Sequence, residues 1–254
     1  MLLDWLVGRK PAAVALDPAW RAHLEANVAH YRRLEAEERL SLEDSLRRFV
    51  AEKNWEGCGG LELNDEIRVT VAGVACYMVL GFPGYTFPKA KMILVYPDAY
   101  AVPLRDLRTG DEDTEPQFRA GESWSFGNVV LSWTQARAGA RGEMPGHNLV
   151  IHEFAHQLDA LNGSSDGVPP LGDVARERHW RKTLDREFAR LVRESRRGLD
   201  GVVDPYGATN EAEFFAVASE AFFERGAELA RARPQVYALL RDFYRRDPAR
   251  RRPG

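Results

Sequence analysis

The chain has 254 residues, enough for one sizeable core, and 44% of them are hydrophobic against 29% charged, which excludes a disordered chain. Its 35 basic and 38 acidic side chains leave a net charge of −3, so no global field points to nucleic acid or an anionic membrane as partner. Two cysteines, Cys58 and Cys76, exclude a disulfide-dense scaffold and a Cys-rich zinc finger; a metal would have to sit on histidine and carboxylate.

The opening stretch, MLLDWLVGRK, is interrupted by Asp4 and has neither a leading basic residue nor a small-residue cleavage site, so it makes a poor signal peptide. The longest apolar run, Val69 to Phe82, is too short to span a bilayer. A cytoplasmic protein without a membrane partner is expected. Asp17-Pro18 starts a helix with an N-cap and a proline at its first position, and Trp20, Leu24, Val28, Tyr31 and Leu34 give it one apolar face. Ser41 to Asp44 resembles a capping box that opens a second helix through Leu46, Phe49 and Val50, ended by Gly57, Gly59 and Gly60. From Asn64 to Leu80 the β-branched residues favour strand, but the length and the Asn-Asp-Glu start favour a buried helix. Lys91 to Tyr96 and Asn128 to Trp133 read as strands, with an acidic surface loop from Arg105 to Gly121 between them. Gly139, Gly142, Pro145 and Gly146 read as a loop. Four helices are then predicted over 149–161, 174–194, 211–224 and 234–244, before an Arg-rich tail.

The pattern predicts an α+β fold, predominantly helical, with a small mixed sheet whose edge strand borders the helix at 149–161. A single domain over 1–254 is expected, with a helical part over 1–60 and the core over 61–254.

The chemistry is concentrated in His152-Glu153-Phe154-Ala155-His156. Residues i and i+4 stand one above the other on a helix face, so two imidazoles can converge on one Zn²⁺ at about 2.0–2.1 Å. Glu153, about a quarter turn away, can reach a water on that metal and act as general base. Leu149, Val150, Ile151 and Phe154 are apolar, and a His pair buried among them is costly without a partner. A catalytic zinc also needs a third protein ligand and one open position. Asp159 and Asn162 stand where a metzincin would have Gly and His, which leaves a Glu on a later helix. Glu211, Glu213 and Glu220 are the candidates: Glu211 at the helix start, Glu213 among Phe214, Phe215 and Val217, and Glu220 seven residues on, on nearly the same face.

The run HEFAHQLD, with Tyr206, Glu213-Phe214-Phe215-Ala216-Val217 and Ser219-Glu220, resembles the Mlc titration factor A family of bacterial zinc peptidases. LVYPDAY at 94–100, GESWSFGNVVLSW at 121–133 and NLVIHEFAHQLDALNG at 148–163 are similar to it too, and the likeness runs from about residue 20 to 250. The core also resembles the protease domain of anthrax lethal factor, which pairs HExxH with a Tyr and a Glu seven residues apart, the separation of Tyr206 and Glu213. The resemblance implies a zincin-like, gluzincin-type peptidase with one Zn²⁺ per chain. It implies His152, His156 and Glu213 as ligands, Glu153 as general base and Tyr206 as stabiliser of the oxyanion.

Asp159 and Glu220 are expected to support the ligands, Asp159 through a hydrogen bond to an imidazole or as a polar contact at the helix end. Asn128 and Val129 are expected to offer strand edge to an extended peptide. His23, His30, His147 and His179 lack ligand spacing to the motif and read as surface or packing residues. The resemblance implies a peptide or protein substrate, with aminopeptidase-like cleavage among its modes. It equally implies a Mlc-like transcriptional repressor as partner, for which the chain would be a binding protein with a structural or partner-activated zinc site.

Overall fold

The computed structural model describes residues 15–98 and 127–250. The loop expected over 105–121 lies outside them. The fold is predominantly helical α+β around a small sheet. Helix α1 (Pro18–Asn27) starts on the Asp17 cap and is followed by the short α2 (Ala29–Arg32) and by α3 (Ala36–Glu52).

The start of α3 differs from the expectation. The helix begins at Ala36, with Glu38 reaching back to the N–H of Glu35 at 3.2 Å. The acidic pair that resembles a cap lies inside the helix because both carboxylates have partners there. Glu43 takes Arg21 at 3.0 Å and the Tyr31 hydroxyl at 2.6 Å, and Asp44 takes Arg48 at 3.0 Å.

Strand β1 (Asn54–Gly57) lies where only a helix-ending glycine cluster was expected. Helix α4 (Asp65–Met78), capped by Asn64, leads to β2 (Met92–Tyr96) and, further on, β3 (Asn128–Ser132). The order is β1-β2-β3, with Ile93 opposite Trp55 and Val129, and among the described residues every pairing is parallel where a mixed sheet was expected. Parallel neighbours need a crossover, and α4 supplies it between β1 and β2. Buried on all sides, α4 is the central helix against which α1 and α3 pack. Gly73 permits this: a Cβ there would lie 2.6 Å from Leu24 Cδ2.

After β3 comes α5 (Trp133–Arg141), capped by Ser132 and ending at Gly142 with φ 75°; of the expected loop residues Gly139 lies inside this helix, while Gly142, Pro145 and Gly146 follow it in a turn. Then come α6 (Leu149–Asp159), α7 (Val174–Ser195), α8 (Glu211–Glu224), α9 (Gly226–Ala232) and α10 (Pro234–Tyr244). Of these only α9 lacks a counterpart in the sequence reading. Cys76 is buried and Cys58 half-buried, both free. Among the described residues no helix is long and apolar enough to cross a membrane.

Two contacts fix the central site. The back of α6 is held by Phe154, whose ring lies 4.6 Å from Phe87 and 5.6 Å from Phe49. Its front faces α8, and one flank packs on β3, which is the sheet edge among the described strands.

Candidate metal centre

Helix α6 starts where the Asn148 side chain accepts the N–H of Ile151 at 3.2 Å. Val150, Ile151, Phe154, Ala155 and Leu158 go into the core, which turns His152 and His156 toward α8. Helix α8 is capped in the same way, with Asn210 Oδ1 accepting the N–H of Glu213 at 2.9 Å. Glu213 therefore stands in its first turn, opposite the two imidazoles.

Three ligand atoms meet. Glu213 Oε2 lies 3.1 Å from His152 Nε2 and 3.4 Å from His156 Nε2, and the two nitrogens are 3.2 Å apart. Tetrahedral coordination with bonds of about 2.0–2.1 Å places neighbouring ligand atoms about 3.3–3.4 Å apart, so the cluster has the size a small divalent cation requires. Glu213 Oε2 is buried without an aligned hydrogen-bond donor. Glu220 Oε1 lies 2.8 Å from His152 Nδ1, and an ionised carboxylate only accepts, so that nitrogen carries a proton and Nε2 faces Glu213. Lone pairs converging in a buried space call for a cation. These residues fit a metal, and the three can hold it.

The electrostatics agree. Burial opposes a charged His152, yet hydrogen bonds to Glu213 and Glu220 and the charges of Glu220 and Glu153 raise its pKa to about 10. Burial would lift the Glu213 carboxyl, but the two imidazoles reverse this and hold it at about 2. His156, deeper, is lowered by burial.

Glu153, next to His152 on α6, is half-buried. Burial raises its carboxyl to about 8, opposed by His152 and assisted by Glu213 and Glu220. Tyr206 sits in the turn Pro205–Ala208, whose Asp204 carboxylate accepts the Tyr206 N–H at 2.6 Å. Gly207 lets that turn lie flat on α8, since a Cβ there would be 2.4 Å from Val217 Cγ2. The Tyr206 ring centroid is 6.1 Å from that of His152, and the residue is 47% exposed, so the phenol marks the open side. Burial, then the charges of Glu213 and Glu153, raise its pKa.

The other candidates are placed as follows. Glu211 is exposed at the start of α8. Asp159 is fully buried at the end of α6 and accepts the Gly167 N–H at 2.9 Å, the helix-end polar contact of its two expected roles; the imidazole contact is made by Glu220. Asn128 and Val129 lie on β3, whose outer edge has no partner strand among the described residues. Three residues around the centre were not singled out in the sequence. Asn148, Glu224 and His30 are joined by hydrogen bonds, and His30 is buried, the packing alternative of its two expected settings. Only Glu224 had a local signal, being four residues beyond Glu220 on the same helix face.

The profile of the glucose-regulated metallopeptidase family M90 matches residues 3–245. The chain belongs to that family. The chain is 38% identical to the slr2042 protein of Synechocystis over 92% of this chain and 86% of the relative. It is 31% identical to proteins named Mlc titration factor A from Salmonella gallinarum and Salmonella typhi, over 86% of this chain and 83% of theirs. The resemblance read from HEFAHQLD is thus borne out at the level of the family. As an M90 member the chain comes from a family of metal-dependent peptidases, and the His152, His156 and Glu213 cluster is a site able to take the metal.

Proposed function

We propose that this M90 member is a cytoplasmic, zinc-dependent peptidase of the gluzincin type, with one Zn²⁺ held by His152, His156 and Glu213. The observation that carries the reading is the spacing of the three ligand atoms, with both imidazole Nε2 atoms converging on the buried Glu213 Oε2. When bound, zinc would polarise the scissile carbonyl and acidify a water. Glu153, next to the ligand His152 on α6, takes a proton from the attacking water and hands it to the leaving amine. Tyr206 donates its phenolic proton in a hydrogen bond to the developing oxyanion. Glu220 keeps the Nδ1 proton on His152 and so keeps Nε2 free for the metal. The outer edge of β3, at Asn128 and Val129, offers backbone groups to an extended peptide. Three protein ligands favour catalysis over a structural site, which takes four.

The test is metal analysis joined to hydrolysis of unstructured peptides by wild type and Glu153→Ala. Both proteins should retain zinc, and the variant should lose about 10²–10⁴-fold in rate. Equal rates would overturn the mechanism.

The Salmonella relatives' name supports a second reading, a protein that sequesters a Mlc-type transcriptional repressor. Under it, wild type and Glu153→Ala bind such a repressor equally and neither cleaves peptides.

A further inference from the structure

Helix α8 presents a third carboxylate toward the start of α6. Glu213, Glu220 and Glu224 are spaced by seven and four residues, which at 3.6 residues per turn keeps them within a narrow stripe. The zinc reading uses the first two. The third, Glu224, has a side chain only 8% exposed.

Its Oε1 accepts the Asn148 Nδ2–H at 2.9 Å and faces His30 Nε2 at 3.0 Å. His30 comes from α2 and is buried, stacked on Tyr77 with centroids 4.3 Å apart and planes 4° from parallel. Asn148 is fully buried and held at four atoms. Its Nδ2 donates to Glu224 and its backbone N–H to Glu220 Oε2 at 2.5 Å, while its Oδ1 accepts from Ile151 and its carbonyl from the His152 N–H at 2.9 Å. Glu220 then takes His152 Nδ1. One unbroken chain runs from α2 to the imidazole at the centre.

We infer that His30 and Glu224 are positioning residues of the metal centre, acting through Asn148 and Glu220 on His152. The inference rests on the zinc reading. The donors have one consistent direction. An ionised Glu224 only accepts, so His30 carries its proton on Nε2 in either charge state. With Glu224 taking Nδ2, the Asn148 amide cannot flip, and its Oδ1 stays on the Ile151 N–H. That fixes the start of α6, and hence the backbone from which His152 projects, while the Asn148 N–H fixes the carboxylate that orients its ring. A chain built for stability alone gains little from buried polar links over apolar packing. This one instead runs, through two carboxylates, to a ligand whose geometry matters.

Two substitutions at His30 separate positioning from packing. His30→Phe keeps the ring on Tyr77 and deletes the donor; His30→Gln restores a donor near the Nε2 position. Zinc affinity is read by competition with a chromophoric chelator, and site geometry by the visible absorption of the Co²⁺-loaded protein. His30→Phe should lose about tenfold in affinity, the low end for an outer partner, and shift the Co²⁺ band. His30→Gln should recover most of both. Glu224→Gln, which preserves volume, should behave as His30→Phe does and serves if that variant folds poorly. Wild-type affinity and spectrum in His30→Phe and Glu224→Gln would overturn the inference, even if their melting temperatures fall. A wild-type protein without zinc affinity would overturn the zinc reading itself, a different result.

Discussion

Replacing Glu220 by Gln tests the arrangement most directly, because the carboxylate stands between two donors. Glu220 Oε2 accepts the Asn148 N–H at 2.5 Å and Oε1 faces His152 Nδ1 at 2.8 Å. A carboxamide has one acceptor oxygen and one NH₂. The Asn148 N–H cannot move its proton, so the amide oxygen turns to it and the NH₂ faces His152 Nδ1. The imidazole responds by moving its proton to Nε2, into the space shared with His156 Nε2 and Glu213 Oε2. Zinc must then displace that proton and force the less favourable tautomer.

One hydrogen bond to a charged group is lost, about 1.5–3 kcal/mol. Losing an outer partner typically lowers metal affinity about 10–100-fold, or about 1.4–2.7 kcal/mol, and the two figures agree. Chelator competition at neutral pH measures it, with thermal melts in excess chelator to show that the metal-free fold is kept. Glu213→Ala, which removes a ligand, should cost more affinity than Glu220→Ala. Wild-type affinity in Glu220→Gln would refute the tautomer argument, and a worse loss in Glu220→Ala than in Glu213→Ala would make Glu220 the ligand.

Tyr206→Phe should keep zinc content and lower kcat about 10²–10³-fold with little change in KM, since only the oxyanion donor is removed; an unchanged kcat removes Tyr206 from the chemistry. Lys53 gives a pH dependence remote from the site. It is 6% exposed, with Nζ donating to the Phe87 carbonyl at 2.8 Å, and burial lowers its pKa from 10.5 to about 8, with Lys91 adding to the effect and Glu52 and Cys76 opposing it. Between those two values the unfolded chain holds the proton more tightly than the native one. The contribution of Lys53 to stability therefore rises with pH across the window, by about 3 kcal/mol. Denaturant melts of wild type and Lys53→Met should show their difference moving in favour of wild type from pH 7 to 10.5, whereas a constant difference would refute the assignment.

Much of this was legible in the sequence where local pattern and tertiary demand coincide. Helices α4, α6 and α8 carry side-chain caps at Asn64, Asn148 and Asn210, and their apolar residues end in the core. The i, i+4 histidines needed only helix geometry to converge. The misreadings arose where a distant partner decides. Gly139 reads as a loop breaker, but it sits inside α5 because a Cβ there would be 3.0 Å from the Asn148 Cα, at the start of the site helix. The acidic pair in α3 resembles a cap until Arg21, Tyr31 and Arg48 are brought to it. Strand β1 is four residues long and carries a single large apolar side chain, Trp55, so only its pairing with β2 defines it.

The same reasoning explains why the network behind the metal centre was invisible. His30 and Glu224 are 194 residues apart, and Asn148 and Glu224 are 76 apart. No periodicity joins α2, α6 and α8. What the sequence did carry was the stripe Glu213, Glu220 and Glu224 on an otherwise apolar helix, where each carboxylate demands a partner. In the fold each finds imidazole: Glu213 at the Nε2 atoms of His152 and His156, Glu220 at Nδ1 of His152, Glu224 at Nε2 of His30. The carboxylates of one helix and the histidines of two others therefore form a single electrostatic unit, which is why His30 belongs with the centre despite its distance along the chain.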